Sequence, residues 1–236
     1  MAIAGFKRIQ RPMNSMTANF QRYAIYWTPP STSGLAAFGQ RWFRTPGETF
    51  GLPPELVARA IHSPARYGIH ATLKAPFPLR DGVTIPGLQQ ELDAFCAIRR
   101  GPVGRAFRLG EYQDYLCLLL SGHTADVDWL AAECVIHFDR FRALEAERSG
   151  EDFPDLSPED ERFLKTFGYP YILSSFRFHV SLAGPLQDQE LDEIGHALRP
   201  HLEAFMAEPV RIGCLSLLGE PDGGGVFELI SRHRFR

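Results

Sequence analysis

Ile69-His70-Ala71-Thr72-Leu73-Lys74-Ala75-Pro76-Phe77 is answered later in the chain by Phe176-Arg177-Phe178-His179-Val180-Ser181-Leu182. Successive side chains of a strand point to opposite faces. Read as a strand, the first stretch sets His70, Thr72 and Lys74 against an apolar face of Ile69, Ala71, Leu73, Ala75 and Phe77. The second has the same parity, with Arg177, His179 and Ser181 on one face and Phe176, Phe178, Val180 and Leu182 on the other. Each stretch therefore carries an imidazole, a hydroxyl and a cation in a row. Same-face neighbours on a strand lie roughly 6.5–7 Å apart, so a histidine and the hydroxyl two residues on can bracket one phosphate group.

A lone histidine on an apolar strand is more often a packing residue than a catalytic one. Two copies 109 positions apart, each with an in-phase hydroxyl and cation, are a stronger signal. The other histidines, His62, His123, His137, His196, His201 and His233, read as surface or packing residues. Strand-end cations are commonly solvated or paired with acids, so Lys74 and Arg177 are weaker candidates than the histidines. Tyr26, Tyr67 and Tyr171 could line a site, although aromatic residues more often serve as packing. Gly223-Gly224-Gly225 lacks the Lys-Ser/Thr and the following helix of a P-loop and reads as a hairpin turn.

The 236 residues are 44% hydrophobic and 22% charged, with a net charge of −3, as expected of a globular chain with a sizeable core. The acidic balance, with a pI near 6.2, argues against strong nucleic-acid binding, which needs many Lys and Arg contacts to phosphates. A small substrate fits better. Cys96, Cys117, Cys134 and Cys214 are scattered without a CxxC pair, so no metal or redox cluster is expected, and they read as reduced thiols of a cytoplasmic protein. No apolar run is long enough to span a membrane, and no signal-peptide pattern opens the chain. Residues 1–21 read as a flexible tail, with Met13 and Met16 as alternative starts, and residues 22–236 as a single domain.

Taken in order, Tyr23–Trp27 reads as a buried strand, followed by a helix through Leu35, Phe38, Trp42 and Phe43 with Ser31–Ser33 as caps. A short helix over Pro54–Ile61 leads to the first motif strand, and Ile85–Ile98 is an amphipathic helix. Phe107–Tyr112 and Tyr115–Leu120 form a hairpin about Gln113-Asp114. The longest helix is expected over Asp126–Glu147, and Ser149–Ser157 is an acidic loop. A short helix at Pro158–Phe167 precedes the second motif strand. After it come a helix over Gln187–Met206, a strand over Val210–Leu218, the glycine turn and a strand over Val226–Phe235. Strand, helix and motif strand thus occur twice, each time followed by a helix and a strand pair, which suggests two α+β lobes of similar plan.

His70-Ala71-Thr72-Leu73 and His179-Val180-Ser181-Leu182 both resemble the His-x-Thr/Ser motif that defines the 2H phosphoesterase superfamily. With Arg22-Tyr23-Ala24-Ile25-Tyr26-Trp27, the likeness is to the branch associated with bacterial phosphonate metabolism through carbon–phosphorus lyase. The resemblance implies a bilobal α+β fold in which two antiparallel sheets face each other across a central cleft, with helices outside and one motif from each lobe. It implies a metal-independent phosphoric diester hydrolase without a cofactor, acting on a small, commonly cyclic, phosphorylated sugar or nucleotide. His70 and His179 would be general acid and base, and Thr72 and Ser181 would hold the phosphate oxygens. Lys74, Arg177, Arg66, Tyr26 and Tyr67 would bind substrate, with Lys74 and Arg177 near the reacting phosphate. In the phosphonate branch the substrate would be 5-phosphoribosyl 1,2-cyclic phosphate, its 5-phosphate at Arg66. The alternatives are an RNA 2′,3′-cyclic phosphodiesterase, for which the motif spacing is longer than in compact members, and a non-catalytic module that binds a phosphorylated ligand.

Overall fold

Each motif stretch becomes a strand at the edge of an antiparallel sheet in the computed structural model, which describes residues 20–144, 153 and 155–236. The first half contains β1 (Phe20–Trp27), α1 (Gly34–Arg44), α2 (Pro54–Ile61), β2 (Ala71–Phe77), α3 (Ile85–Ala97), β3 (Val103–Gly104), β4 (Phe107–Tyr112) and β5 (Tyr115–Leu120). Then come α4 (Ala125–Phe138), α5 (Pro158–Phe167), β6 (His179–Ala183), α6 (Asp188–Met206), β7 (Val210–Arg211), β8 (Cys214–Pro221) and β9 (Glu228–Arg234). Local chemistry starts the helices close to where the sequence places them. Ser33 caps α1 by accepting from the Ala36 N–H at 3.2 Å, and Ser157 caps α5, with Pro158 in its first turn and the left-handed Gly168 closing it.

The strands form a four-stranded sheet, β2-β1-β8-β9, a three-stranded sheet, β4-β5-β6, and a two-stranded ribbon, β3-β7. The order along the chain does not map onto the sheets as the sequence suggests, because the two halves exchange strand pairs. The pair that follows the first motif, β4-β5, joins the second motif strand β6, while β8-β9, from the end of the chain, join β1 and β2. The motif strands β2 and β6 are both edges, and they approach one another. An edge position also explains how Pro76 is tolerated in β2, since its missing N–H interrupts no ladder on the open side.

Alternation buries Leu73, Phe77, Val180 and Leu182 in one contiguous hydrophobic cluster with Ile25, Leu118 and Leu217, so the two larger sheets share a core. Each large apolar side chain sealed there contributes about 1.5–3 kcal/mol. Helix α4 packs on β2, α3 on β8 and β9, and α6 on β4 and β5. Trp42 of α1 donates its indole N–H to the Leu182 carbonyl at 2.7 Å, tying the first helix to the second motif strand. Gly39 lets α1 approach the first motif closely, because an added Cβ would lie 2.3 Å from Cγ1 of Ile69.

Several boundaries differ from the sequence reading. The first strand starts at Phe20, where it pairs with Pro221, so residues 20 and 21 belong to the sheet, and the rest of the expected tail lies outside the described residues. The long helix ends at Phe138 rather than Glu147. A 3₁₀ turn at Asp139–Phe141 follows, and the chain then binds the 78–80 segment, with Arg80 N–H donating to Phe141 O and Ala143 N–H to Pro78 O. Residues 145–152 and 154, most of the expected acidic loop, lie outside the described residues. The expected strand over Val210–Leu218 divides at Ile212-Gly213: β7 pairs with β3 and β8 with β1.

Candidate functional site

A cavity of about 750 Å³ receives His70, Thr72 and Tyr26 from the four-stranded sheet side and Tyr112, His179 and Ser181 from the three-stranded one. The strand parity that places the polar residues there also sends Ala71, Leu73, Val180 and Leu182 into the core. The two imidazoles are held alike. His70 Nδ1 lies 2.9 Å from the Gly68 carbonyl oxygen, and His179 Nδ1 lies 2.7 Å from that of Arg177. A carbonyl oxygen only accepts, so each Nδ1 carries the proton and donates, and in the neutral rings Nε2 is the basic nitrogen. Gly68 has φ of 69°, a conformation strained for other residues, where it offers this carbonyl.

Aromatic rings fix both imidazoles further. Tyr26 and Tyr67 lie 4.5 and 5.2 Å from the His70 ring centroid, and Tyr112 lies 4.8 Å from that of His179. Burial pushes the His70 imidazole down to about 4, opposed by its bond to Gly68 and reinforced by the charge of His179. Burial also lowers His179, opposed by the Arg177 carbonyl. At neutral pH both rings are therefore predominantly uncharged. Ser181 Oγ is 3.7 Å from the thiol of Cys117, which burial, partly offset by this contact, pushes up to about 12, leaving a thiol rather than a thiolate.

Lys74 departs from the expected row. Along β2, Thr72 pairs with Tyr26 but Lys74 pairs with Ile25, across a register shift. Tyr26 and Ile25 point to opposite faces, so this bulge turns Lys74 away from His70 and Thr72. The Lys74 ammonium bonds Asp139 at 3.2 Å and lies over the Phe77 ring. Arg177 precedes β6 instead of lying in it, and its Nη1 donates to the carbonyls of Phe176 and Ser174 at 2.6 and 3.3 Å. It lines a small side cavity with Thr72, Tyr112 and His179. Arg66 does line the main cavity, but its guanidinium is engaged by Glu220 at 2.7 Å and by the Gly225 carbonyl at 3.4 Å.

Tyr67 and Tyr171 also border the main cavity, joined by Tyr112, Tyr115, Phe153 and Tyr169, which the sequence reading did not single out. The usable signal for Tyr112 and Tyr115 is the hairpin, since residues flanking Gln113-Asp114 necessarily sit together at one end of the sheet, beside the end of β6, where Leu116 pairs with Ala183. The remaining histidines stand elsewhere: His137 bonds Glu91 at 2.6 Å, and His233, buried, bonds Asp93 at 2.7 Å. Among the described residues no group of His, Cys, Asp or Glu is placed to hold a metal ion, and no helix is long and apolar enough to cross a membrane.

The chain is 33% identical over 221 residues to ribose 1,5-bisphosphate phosphokinase PhnN of Janthinobacterium sp. (strain Marseille), covering 87% of this chain and 49% of that protein. It is 27% identical over 214 residues to the protein of the same name from Laribacter hongkongensis (strain HLHK9), covering 88% and 50% respectively. It thus spans about half the length of these curated relatives. Among solved structures, Kluyveromyces marxianus Usb1 aligns with 89% of this chain and 97% of its own, at 11% identity and a TM-score of 0.41. The matched region that assigns the chain runs over residues 72–228, from the hydroxyl of the first motif through the whole of the second, and by it the chain belongs to the family described as "Protein of unknown function (DUF1045)".

Proposed function

We propose that the protein is a metal-independent cyclic phosphodiesterase of the two-histidine type, in which the sheets of a bilobal fold face each other across the histidine cleft. The observation that carries this reading is the matched pair of imidazoles on one cavity. Each is pinned through Nδ1 with Nε2 as its basic nitrogen, and each is followed two residues later by a hydroxyl. His70 acts as base, since burial pushes its imidazole down to about 4 and so keeps Nε2 free of a proton, and His179 acts as acid. His70 takes a proton from water, the oxygen attacks phosphorus, and the bond from phosphorus to the leaving sugar oxygen breaks. His179 protonates that oxygen. Each transfer contributes about 10²–10⁴-fold. Thr72 and Ser181 donate to the non-bridging oxygens, where charge develops.

The reading extends to 5-phosphoribosyl 1,2-cyclic phosphate in phosphonate catabolism. Water added across its phosphorus–O2 bond leaves ribose 1,5-bisphosphate, the compound in the names of both relatives. A chain similar to half of such a protein would supply the compound for which the whole is named. One observation favours a nucleotide instead, as in an RNA 2′,3′-cyclic phosphodiesterase: Phe153, Tyr169 and Tyr171 form an edge-to-face cluster on the cavity wall, with centroids 5.7–5.8 Å apart, where a base could stack. Faster turnover of a nucleoside 2′,3′-cyclic phosphate than of the ribose compound would select it. Binding without turnover of either is the behaviour of a non-catalytic phospho-ligand module.

The mechanism sets a pH profile. The value of kcat/KM reports the free protein, in which His70 must be neutral and His179 protonated. Activity should rise as pH climbs through about 4, where His70 loses its proton, and fall as His179 loses its own below the ordinary 6.5. A bell with its maximum between these limits is the expected outcome. A flat profile, or one still rising above pH 8, contradicts the assigned roles.

A further inference from the structure

Beside the histidine cavity lies a second one of about 440 Å³, and the two share Ala75, Pro76 and Tyr169 as a common wall. Its lining includes the cations Arg22, Lys74, Arg142 and Lys165. Lys74 and Arg142 converge on one carboxylate: Lys74 Nζ is 3.2 Å from Asp139 Oδ1, while Arg142 Nε and Nη2 reach Oδ1 and Oδ2 at 2.8 and 3.2 Å. Both cations are largely removed from water, with side chains only 4% and 10% exposed. Two cations on one carboxylate leave a formal unit of positive charge in this partly dehydrated group, which an entering anion would balance. Arg142 is fixed in place by a further bond from Nη2 to the Thr166 carbonyl at 2.7 Å. Arg22 repeats the pattern from the sheet, sharing the buried Glu220 with Arg66. The β2 bulge that removes Lys74 from the histidine row is what delivers it here.

We infer that this second cavity is an anion subsite that takes a phosphate monoester on the substrate, remote from the phosphorus being attacked, with Lys74 and Arg142 as its principal ligands and Lys165 at its mouth. The inference rests on the phosphodiesterase reading for the identity of the substrate, and it transfers the remote phosphate from Arg66 to the neighbouring cavity. A dianionic phosphate suits a planar guanidinium and an ammonium held side by side, since charge-assisted bonds to it are the strong ones. Binding energy gained there positions the ring between the histidines.

The test uses Arg142→Gln, which leaves Lys74 and Asp139 as a neutral pair, and Lys165→Gln, on a side chain 67% exposed whose loss cannot threaten the fold. In each, kcat/KM is measured for 5-phosphoribosyl 1,2-cyclic phosphate and for ribose 1,2-cyclic phosphate. The ratio of the two should fall at least about tenfold in Arg142→Gln and severalfold in Lys165→Gln, as expected when a bond to a charged group is removed. A ratio unchanged in both variants overturns the subsite. Should the wild type open neither compound, the ribose substrate assignment fails, and calorimetric titration with inorganic phosphate tests the subsite independently. Phosphate should bind the wild type and a His70→Ala/His179→Ala double variant with similar Kd, and about tenfold more weakly in Arg142→Gln. Binding lost in the histidine variant and kept in Arg142→Gln would assign the anion to the cleft and refute the subsite.

Discussion

His70→Ala and His179→Ala should each lower kcat on a cyclic phosphodiester by about 10²–10⁴-fold, because each removes one of two proton transfers the reaction requires. The double variant should be scarcely slower than either single one, since groups that act as a unit give non-additive losses. Stability need not suffer, because neither ring is held by a hydrogen bond other than the one from Nδ1 to the backbone carbonyl two residues earlier, of Gly68 or Arg177, among those observed for the described residues. Single-turnover rates of the purified variants, alongside their circular dichroism spectra, check both statements. A single variant with near wild-type rate contradicts the paired mechanism, whatever the substrate proves to be.

The largest effect on stability is expected at Glu220. It sits in β8 opposite Arg22 of β1, only 1% exposed, with Arg22 Nε at 2.5 Å and Arg66 Nη2 at 2.7 Å. Glu220→Ala leaves the largely buried Arg22 and the 43% exposed Arg66 without their shared carboxylate; removing one partner from a buried ion pair costs about 3–5 kcal/mol, an upper bound here because water reaches Arg66. Burial would raise the Glu220 pKa, but the bonds and charge of Arg22, a bond from Gln21 and the charge of Arg66 hold it below its ordinary 4.5. Because the folded-state value is depressed, this stabilisation is fully present above about 4.5 and fades as the pH falls through the folded-state pKa. Urea midpoints at pH 7 measure the loss. A difference under about 1 kcal/mol, the range of exposed pairs, would mean that water replaces the carboxylate.

What the sequence discloses here is what local alternation controls. The parity of Ala71, Thr72 and Leu73, and of His179 to Leu182, follows from the period of a strand, and the burial of these residues agrees with it. The Gln113-Asp114 hairpin is equally local: both residues have positive φ, 49° and 60°, as a tight two-residue turn requires. The departures arise where a distant partner decides. Lys74 leaves the row because pairing with β1 shifts register between Ile25 and Tyr26, which the composition of β2 alone does not disclose. The exchange of β4-β5 and β8-β9 between the motif strands is likewise a matter of long-range pairing. The helix expected to reach Glu147 stops at Phe138 because the 78–80 segment offers Arg142 and its neighbours a bridge and backbone bonds, a competitor more than sixty residues away along the chain. Arg177 kept its place near His179 but spends part of its guanidinium on local carbonyls, a use that charge and strand parity do not predict.

The most direct measurement is phosphorus NMR of the purified protein with 5-phosphoribosyl 1,2-cyclic phosphate in the presence of a strong chelator. The cyclic diester resonance should be replaced by a second monoester resonance, with the 5-phosphate signal retained and no inorganic phosphate released, and His70→Ala and His179→Ala should leave the spectrum unchanged over the same interval. Persistence of the diester with the wild type, or turnover that appears only when a divalent metal is restored, would contradict the proposed function.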